Sequence, residues 1–564
     1  MRSRLCVQMS NSSGGIGHSK LGNALEVKSE ESFRLNRITG DNLNDVDWTK
    51  WARLPNSVAS RLEDLNRARQ DNKSRAPGDF KGMANTVLSA SNGAYKDRQL
   101  YELVQNAADV LTSTAENVAG RIKVVLTPDA LYCANEGRPF SEDGFVAVGT
   151  PNNSVKDDFQ AIGQFGIGFM SVQEISKSPE IFSRSCSVRY SLDESFDFFC
   201  PGMVATDEDE KLGLVWTMAY AVPVDPEAHS QGDDVLRDLM GWASTVIKLP
   251  LDRMSNVNGD VYSSFAEKMR KFPAEFLLFC QHVGSLEFEI RDPDPFQNST
   301  WQFTKVSATN GRVLQNVNGT GNVHFSIVDL PGSTGGNNEW MVFSDVNIPL
   351  NEELSGTDRG LVRARRKDEN GQLVPVTLTW AVNISSPGRE RGTFWFYFPT
   401  EDKVTLRGIV NAPWDTNTAR TLLLDPEING YNKLLLSRLV YLILTACPVI
   451  AEFTSPDVCR YLELIPARGN EEESVASKWF VPEFWRVASN YAVVPDLDGE
   501  FKVPSVMRHW PSEVAAGIIN SNSYAIDVAN EWVRLAGRRD FAHMSALKNP
   551  VRKSRLDLFF QDKE

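Results

Sequence analysis

The sequence predicts an α+β fold, and three observations carry that expectation. Residues 98–114 repeat apolar side chains at helical spacing. Short apolar runs at 122–126 and 131–134 read as neighbouring strands. Further along, strand-like runs are separated by Asn-Gly pairs at Asn310-Gly311 and Asn318-Gly319, the residues that two-residue hairpin turns favour. Helices and a largely antiparallel sheet are therefore expected over about the first 250 residues, and the pattern restarts after about 255.

The elements follow in order. Residues 1–45 are polar and rich in Gly, Ser and Asn, and are expected to be a poorly ordered lead-in. Residues 57–70 carry Val58, Leu62 and Leu65 on one side and Arg and Glu on the other, so they read as a helix. The helix at 98–114 has Asp97 as its expected N-cap. After the strands at 122–126 and 131–134 comes a loop-rich stretch to Ile162, a glycine-rich turn, and a helix over 168–175. Strands are expected at 185–190, 196–199, 214–219 and 245–249. A helix at 262–282, strands at 394–398 and 405–410, and a long helix from Asn432 come next. Residues 467–477 read as a linker, and the last 85 or so as weakly helical and rich in Trp and Pro. No internal repeat is visible.

The 564 residues, 41% of them hydrophobic and 23% charged, describe an ordinary soluble globular chain of about three or four domains. Lys and Arg number 59 against 73 Asp and Glu, a net charge of −14. That disfavours duplex nucleic acid as the main partner, because such binding is driven largely by phosphate neutralisation. The seven cysteines are scattered without a Cys-x-x-Cys pair, and the six histidines form no cluster. Neither a disulfide framework nor a structural zinc site is expected. The longest apolar run, 439–453, is broken by Pro448 and too short to span a bilayer. The N-terminus has no apolar signal core, so a reducing, cytoplasmic setting is expected.

Three segments carry candidate chemistry. In RQLYELVQNAADVL, Leu100, Leu103, Val104, Ala107 and Leu111 share one face, while Glu102, Asn106 and Asp109 share another. The second face can be simply solvated. A carboxylate and a carboxamide one turn apart can also deprotonate water and ligate a hard cation such as Mg²⁺. In LYCANEGRPF, a strand ends in Asn135-Glu136-Gly137, where a polar side chain can face a pocket. In IGQFGIGFMSV, Gly163, Gly166 and Gly168 precede an apolar helix, an arrangement whose backbone N–H groups can cradle an anion. It is not the Gly-x-x-x-x-Gly-Lys-[Ser/Thr] phosphate loop, which occurs nowhere in the chain.

Each segment alone is weak; their order and spacing are specific. Together they resemble the GHKL (Bergerat-type) ATP-binding fold of the 90-kDa heat-shock chaperones, DNA gyrase B, MutL and sensor histidine kinases. ELVQNAAD and GQFGIGF are most similar to the chaperone branch, and the three segments look like bacterial sacsin-type, chaperone-like ATP-binding proteins. The resemblance is strong over about 90–180 and extends more weakly to about 250, where STVIKLPL resembles the strand whose Thr lines the adenine pocket. It implies a Bergerat-type α/β sandwich at 46–254, a chaperone-middle-like α/β domain at 255–466, and a linker with a short C-terminal segment at 467–564.

The resemblance also implies roles. Glu102 would be the general base that activates water. Asn106 would hold Mg²⁺, with Asp109 supporting the pocket. Asn135 stands where the family usually has an adenine-binding Asp, which implies weaker or less selective adenine binding. Gly137 would let the base approach, and Thr245 would line the pocket. Residues 140–161 would be a lid, with Lys156 a phosphate contact, and Gly163, Gln164, Phe165, Gly166, Ile167 and Gly168 would wrap the phosphates. FWFYFPTEDKVTLRGIVNAPWDTNTAR resembles the segment that supplies a phosphate-contacting arginine, for which Arg420 is the first candidate and Arg407 the second.

The function so implied is Mg²⁺-dependent ATP hydrolysis that drives lid closure and chaperone-like remodelling. Its partners would be ATP, ADP and client proteins, with a homodimer through the ATP domain and no membrane. The alternatives are a nucleotide-gated scaffold without hydrolysis and a DNA-transaction ATPase, which the net charge disfavours. A histidine kinase is disfavoured because no His lies in a helical pair upstream of the motifs. The basic run at 358–367 reads as an exposed hairpin, and the dispersed Trp residues as packing.

Overall fold

The computed structural model describes residues 50–52, 57–75, 98–112, 119–141, 144–145, 148, 172, 175–207, 210–211, 214, 220–251, 261–280, 282–304, 309–330, 338–354, 373, 375–383, 391–417, 420–467, 474–520, 523–537 and 539–560. The chain divides into two units, Met1–Lys50 and Trp51–Glu564, and all the helices and strands belong to the second among the described residues. The expected lead-in and the basic run at 358–367 fall outside the described residues.

The elements, in order, are α1 (Ser57–Arg75), α2 (Gln99–Thr112), β1 (Gly120–Leu126), β2 (Ala130–Asn135), β3 (Glu180–Ser183), β4 (Val188–Tyr190), α3 (Leu192–Phe199), β5 (Ala221–Pro223), α4 (Pro226–Ser230), α5 (Asp234–Met240), β6 (Thr245–Pro250), α6 (Val261–Arg270), β7 (Val283–Ile290) and β8 (Ser299–Thr304). Then come β9 (Thr309–Gln315), β10 (Asn322–Asp329), β11 (Glu339–Ile348), β12 (Val376–Asn383), β13 (Gly392–Phe396), β14 (Phe398–Val404), β15 (Ile409–Asn411), α7 (Gly430–Phe453), α8 (Val475–Ala488), β16 (Val494–Pro495), β17 (Phe501–Lys502), α9 (Ser512–Ile519), α10 (Ser523–Ala536) and α11 (Pro550–Leu558). The expected α+β class is what is observed.

Two large sheets organise these elements. The first has eight strands in the order β5-β4-β3-β6-β2-β1-β7-β8, antiparallel except where β1 runs parallel to β7. The second has seven in the order β14-β13-β15-β12-β11-β10-β9, with β13 and β15 parallel. α2 packs on β1 and β2 through Leu100, Leu103, Val104, Ala107 and Leu111, all buried. One core continues from this helix through Phe272, Phe276 and Phe288 to Trp395 and Phe398 of the second sheet. Tyr101 stacks on Phe398 at 4.4 Å between ring centres, and Phe276 does so at 4.8 Å. Aromatic burial thus ties the two sheets together.

Several expectations are corrected. Residues 196–199 belong to a helix, α3, because the Ser191 hydroxyl accepts from Glu194 N at its start and Leu192, Phe196 and Phe199 bury at helical spacing. The helix expected over 262–282 stops at Arg270, since Pro273 removes a backbone donor, and a 3₁₀ turn follows at Ala274–Leu278. Asn310-Gly311 is not a hairpin turn: it lies within β9, and β8 and β9 belong to different sheets. Asn318-Gly319 does turn the chain between β9 and β10, with Gly319 at φ +76°. Residues 405–408 bend rather than extend, and only 409–411 pair as a strand. Residues 214–219 fall outside the described residues apart from Leu214.

The boundary expected at 254 does not mark the end of the first sheet, which takes in β7 and β8 and runs to Thr304. The expected C-terminal segment packs on the second sheet. Phe480, Phe484, Trp510 and Leu556 bury in the same core as the second sheet and α7. Trp380, Trp414 and Trp510 are fully buried, as expected of packing residues. α7 is the one helix, among the described residues, long and apolar enough to cross a membrane, and it is 78% buried inside the fold. Its burial explains its composition: it is the central helix of the second core. Six of the cysteines are buried and unpaired by disulfides.

Candidate functional site

The site is built on α2. Its polar face is not solvated: Glu102 is 3% exposed, and Gln105 and Asp109 are buried, while Asn106 is half-buried. Burying a carboxylate demands a compensating group. That group arrives from the second sheet. Arg420, 1% exposed, places Nη1 3.2 Å from Glu102 Oε1 and donates from the same nitrogen to Gln105 Oε1 at 3.2 Å. The contact with Glu102 is ionic and lacks hydrogen-bond alignment. The guanidinium also sits 5.3 Å from the Phe396 ring centre, a cation–π distance.

The loop that carries Arg420 is tightly specified. Arg420 adopts φ +54°, a left-handed conformation that costs a non-glycine residue about 1–3 kcal/mol. Its N–H bonds to the Asn417 carbonyl, and the Asn417 Oδ1 accepts from Thr421 N at 2.9 Å. Asp402 of β14 accepts from Leu423 N at 2.5 Å, and burial holds the Asp402 carboxyl above the usual carboxylate range. Glu401 N donates to the Thr421 carbonyl. The strand hairpin β13–β14 therefore anchors both the loop and the ring beneath the guanidinium. Nearby, burial raises the Tyr101 hydroxyl pKa, with Arg98 opposing.

The other end of the site lies where β2, β6 and β3 begin or end together. Asn135 pairs in register with Thr245, and Thr245 with Ser183. The Thr245 and Ser183 hydroxyls are 3.1 Å apart. Asn135, buried, donates from Nδ2 to the Glu136 carbonyl at 2.6 Å. The Asn135 amide N–H₂ thus has a partner, and Oδ1 is the acceptor it offers. Phe140 N donates to Ser183 Oγ at 2.9 Å, and Ser185 Oγ to the Phe140 carbonyl at 2.5 Å, which pins the start of the segment expected to be a lid.

Gly137 has φ +101°, and a Cβ there would lie 3.1 Å from Val110 Cγ1 and 3.3 Å from the Val110 carbonyl. Its observed close neighbour is the end of α2, so the glycine lets helix and strand end approach each other.

Of the expected site residues, Glu102, Asn106 and Asp109 share α2, with Arg420 against Glu102, and Asn135 and Thr245 face each other across β2 and β6. Arg407 does not join them. Its charge neighbours are Glu463 and Arg555, and burial lowers its pKa. Lys156, Gly163, Gln164, Phe165, Gly166, Ile167 and Gly168 lie outside the described residues, as does Asp97. Sequence reasoning missed Gln105, Ser183 and Phe396. Gln105 stands three residues from Glu102, the spacing that could have flagged it; nothing local marks the other two. No group of three or more His, Cys, Asp or Glu side chains able to hold a metal occurs among the described residues. No protein-family model matches the chain, and no curated protein matches it.

Proposed function

We propose that the chain binds Mg²⁺·ATP and hydrolyses it, with nucleotide-dependent closure and domain motion as the output and chaperone-like remodelling of client protein as the use. The observation that carries this reading is the contact of Arg420 with Glu102. The resemblance implies a base at Glu102 and offers Arg420 as the first candidate for a phosphate contact, in segments far apart, and the two meet in a buried setting.

The donor set fits the ligand. Asn135 Oδ1 and the Thr245 and Ser183 hydroxyls suit the polar edge of a purine. Asn106, one turn beyond Glu102, would hold the Mg²⁺, a hard cation that takes oxygen ligands and neutralises phosphate charge. Glu102 would take a proton from the attacking water. Arg420 would neutralise charge that develops on the transferred phosphoryl group.

The same contact adds a requirement. Arg420 Nη1 lies 3.2 Å from Glu102 Oε1, an oxygen that an attacking water would need as its acceptor. Glu102 therefore acts as base only once Arg420 has shifted from it toward phosphate. If Arg420 never releases Glu102, the chain is a nucleotide-gated scaffold without hydrolysis, and this ion pair is the observation that favours that second reading. A homodimer through the ATP domain and a cytoplasmic setting belong to the same proposal.

The first test is calorimetric titration of the full chain with Mg²⁺·ATP. The wild type is expected to bind, Glu102→Ala to bind as well, and Asn106→Ala to lose the Mg²⁺-dependent part. A wild type that takes up no adenine nucleotide with or without Mg²⁺ would sink both readings.

A further inference from the structure

The loop that carries Arg420 is a small hairpin. Leu424 N donates to the Asp415 carbonyl at 2.9 Å, and Thr416 pairs with Leu423 as an antiparallel bridge. Beyond that bridge Asn417 N donates to the Leu422 carbonyl at 2.9 Å, which closes the tip bearing Arg420. The base of the hairpin meets the first turn of α7, the central helix of the second core.

One side chain of that turn grips both strands of the base. Asn432 is 0% exposed. Its Oδ1 accepts from Asp415 N at 2.9 Å, and its Nδ2 donates to the Asp415 carbonyl at 2.7 Å and to the Leu424 carbonyl at 2.9 Å. The amide thus uses its carbonyl and both N–H groups on the loop. Asn429 supports it. Asn429 Oδ1 accepts from Asn432 N at 2.8 Å as the N-cap of α7, and Asn429 Nδ2 donates to Asp415 Oδ2 at 3.2 Å.

The side chain of Asn432 does nothing for α7 itself. The helix start is already capped by Asn429, and for helix formation alone an alanine would serve better. What Asn432 fixes is the place from which the hairpin reaches α2, where Arg420 meets Glu102 and Gln105. On the reading of Arg420 as the phosphate contact, we infer that Asn432 is its positioning residue: through this one amide, α7 sets where the guanidinium stands. With the base held, the shift of Arg420 from Glu102 toward phosphate is confined to the tip beyond the Thr416–Leu423 bridge.

The test compares the full-length wild type, Asn432→Ala, Arg420→Met and the double variant, all checked for folding by circular dichroism. Phosphate release from Mg²⁺·ATP and hydrogen exchange are measured on each. Asn432→Ala is expected to lower kcat by about 10–100-fold with KM for ATP little changed, since a misplacement of about 1 Å can cost about 10²-fold. In the Arg420→Met background the same change is expected to lower kcat no further, because the group it positions is gone. Exchange is expected to rise over 415–424 and to stay at the wild-type level over the rest of α7. Should Asn432→Ala fail to fold, Asn429→Ser takes its place: serine caps a helix as well as asparagine does but lacks the donor to Asp415, so a smaller loss of the same kind is expected. The inference is overturned if the kcat loss is as large without Arg420 as with it, if KM rises in place of the fall in kcat, or if exchange over 415–424 is unchanged. A wild type that releases no phosphate from ATP sinks the hydrolytic reading; exchange over 415–424 then decides the clamp by itself.

Discussion

Two buried arginines in this chain are held in opposite ways. Arg438 sits on α7, a long regular helix, and meets Asp345 of the sheet beneath that helix. Arg420 sits on a short loop in a left-handed conformation and meets Glu102 and Gln105 of α2, Gln105 being 315 residues away in sequence. Both are nearly inaccessible. The first pair joins elements of one core, where α7 packs on β11 and β12. The second joins a helix on the first sheet to a loop of the second, and it uses strained backbone to do so. An ion pair between well-packed layers is easily accounted for as packing. A strained loop that delivers a charge onto a buried carboxylate of another layer asks for a functional reason.

The largest expected effect separates the two pairs. Removing one partner of a buried pair leaves the other charged and unsolvated, and typically costs about 3–5 kcal/mol. Arg420→Met is expected to lose that much stability by denaturant titration at neutral pH, and the added Glu102→Gln change to restore most of it. If the single variant is as stable as the wild type, Glu102 has another partner and the contrast between the two arginines fails.

The second prediction concerns pH. Burial pushes the Asp345 carboxyl up to about 6 from 3.8, with Arg438 opposing and Glu353 adding to the rise. A raised carboxyl pKa means that the folded state binds more protons than the unfolded state between these values. Its stabilising effect is therefore fullest below about 4 and is lost as pH rises through 6. The shift corresponds to about 3 kcal/mol. Relative to Asp345→Asn, the wild type should gain stability on going from pH 7 to pH 4. A difference that is flat with pH would show that Asp345 stays ionised throughout.

Smaller effects probe the frame of the α2 site. Gly137→Ala forces a side chain into φ +101° and against Val110, and should lower stability by about 1–3 kcal/mol in thermal melts. Smaller still, Gln105→Ala removes one hydrogen bond from Arg420 and should cost about 1 kcal/mol. If Gln105 positions Arg420 for chemistry, the same variant lowers kcat while KM for ATP is little changed. A purely structural Gln105 would leave kcat alone.

Local features were legible in the sequence. The five apolar residues of α2 are all buried, because 3.6-residue spacing alone selects the face that meets the sheet. The strand ends that bring Asn135 to Thr245 are marked by short apolar runs. Features that depend on tertiary context were not legible. Aromatic residues at 196–199 favour a strand by propensity, yet the Ser191 cap and the burial of one helical face decide for α3. The sheet runs past 254 because β7 pairs with β1 in parallel, a contact between residues more than 150 apart in sequence. Phe396 has no local mark of a role; only the arrival of the Arg420 guanidinium over its ring supplies one.

The central claim is that Glu102 is the base of an ATP-hydrolysing site, and phosphate release tests it most directly. Steady-state turnover of Mg²⁺·ATP by the full chain should fall by about 10²–10⁴-fold in Glu102→Gln, the usual worth of a general base, while nucleotide binding persists. A Glu102→Gln variant that binds and turns over ATP like the wild type would contradict it.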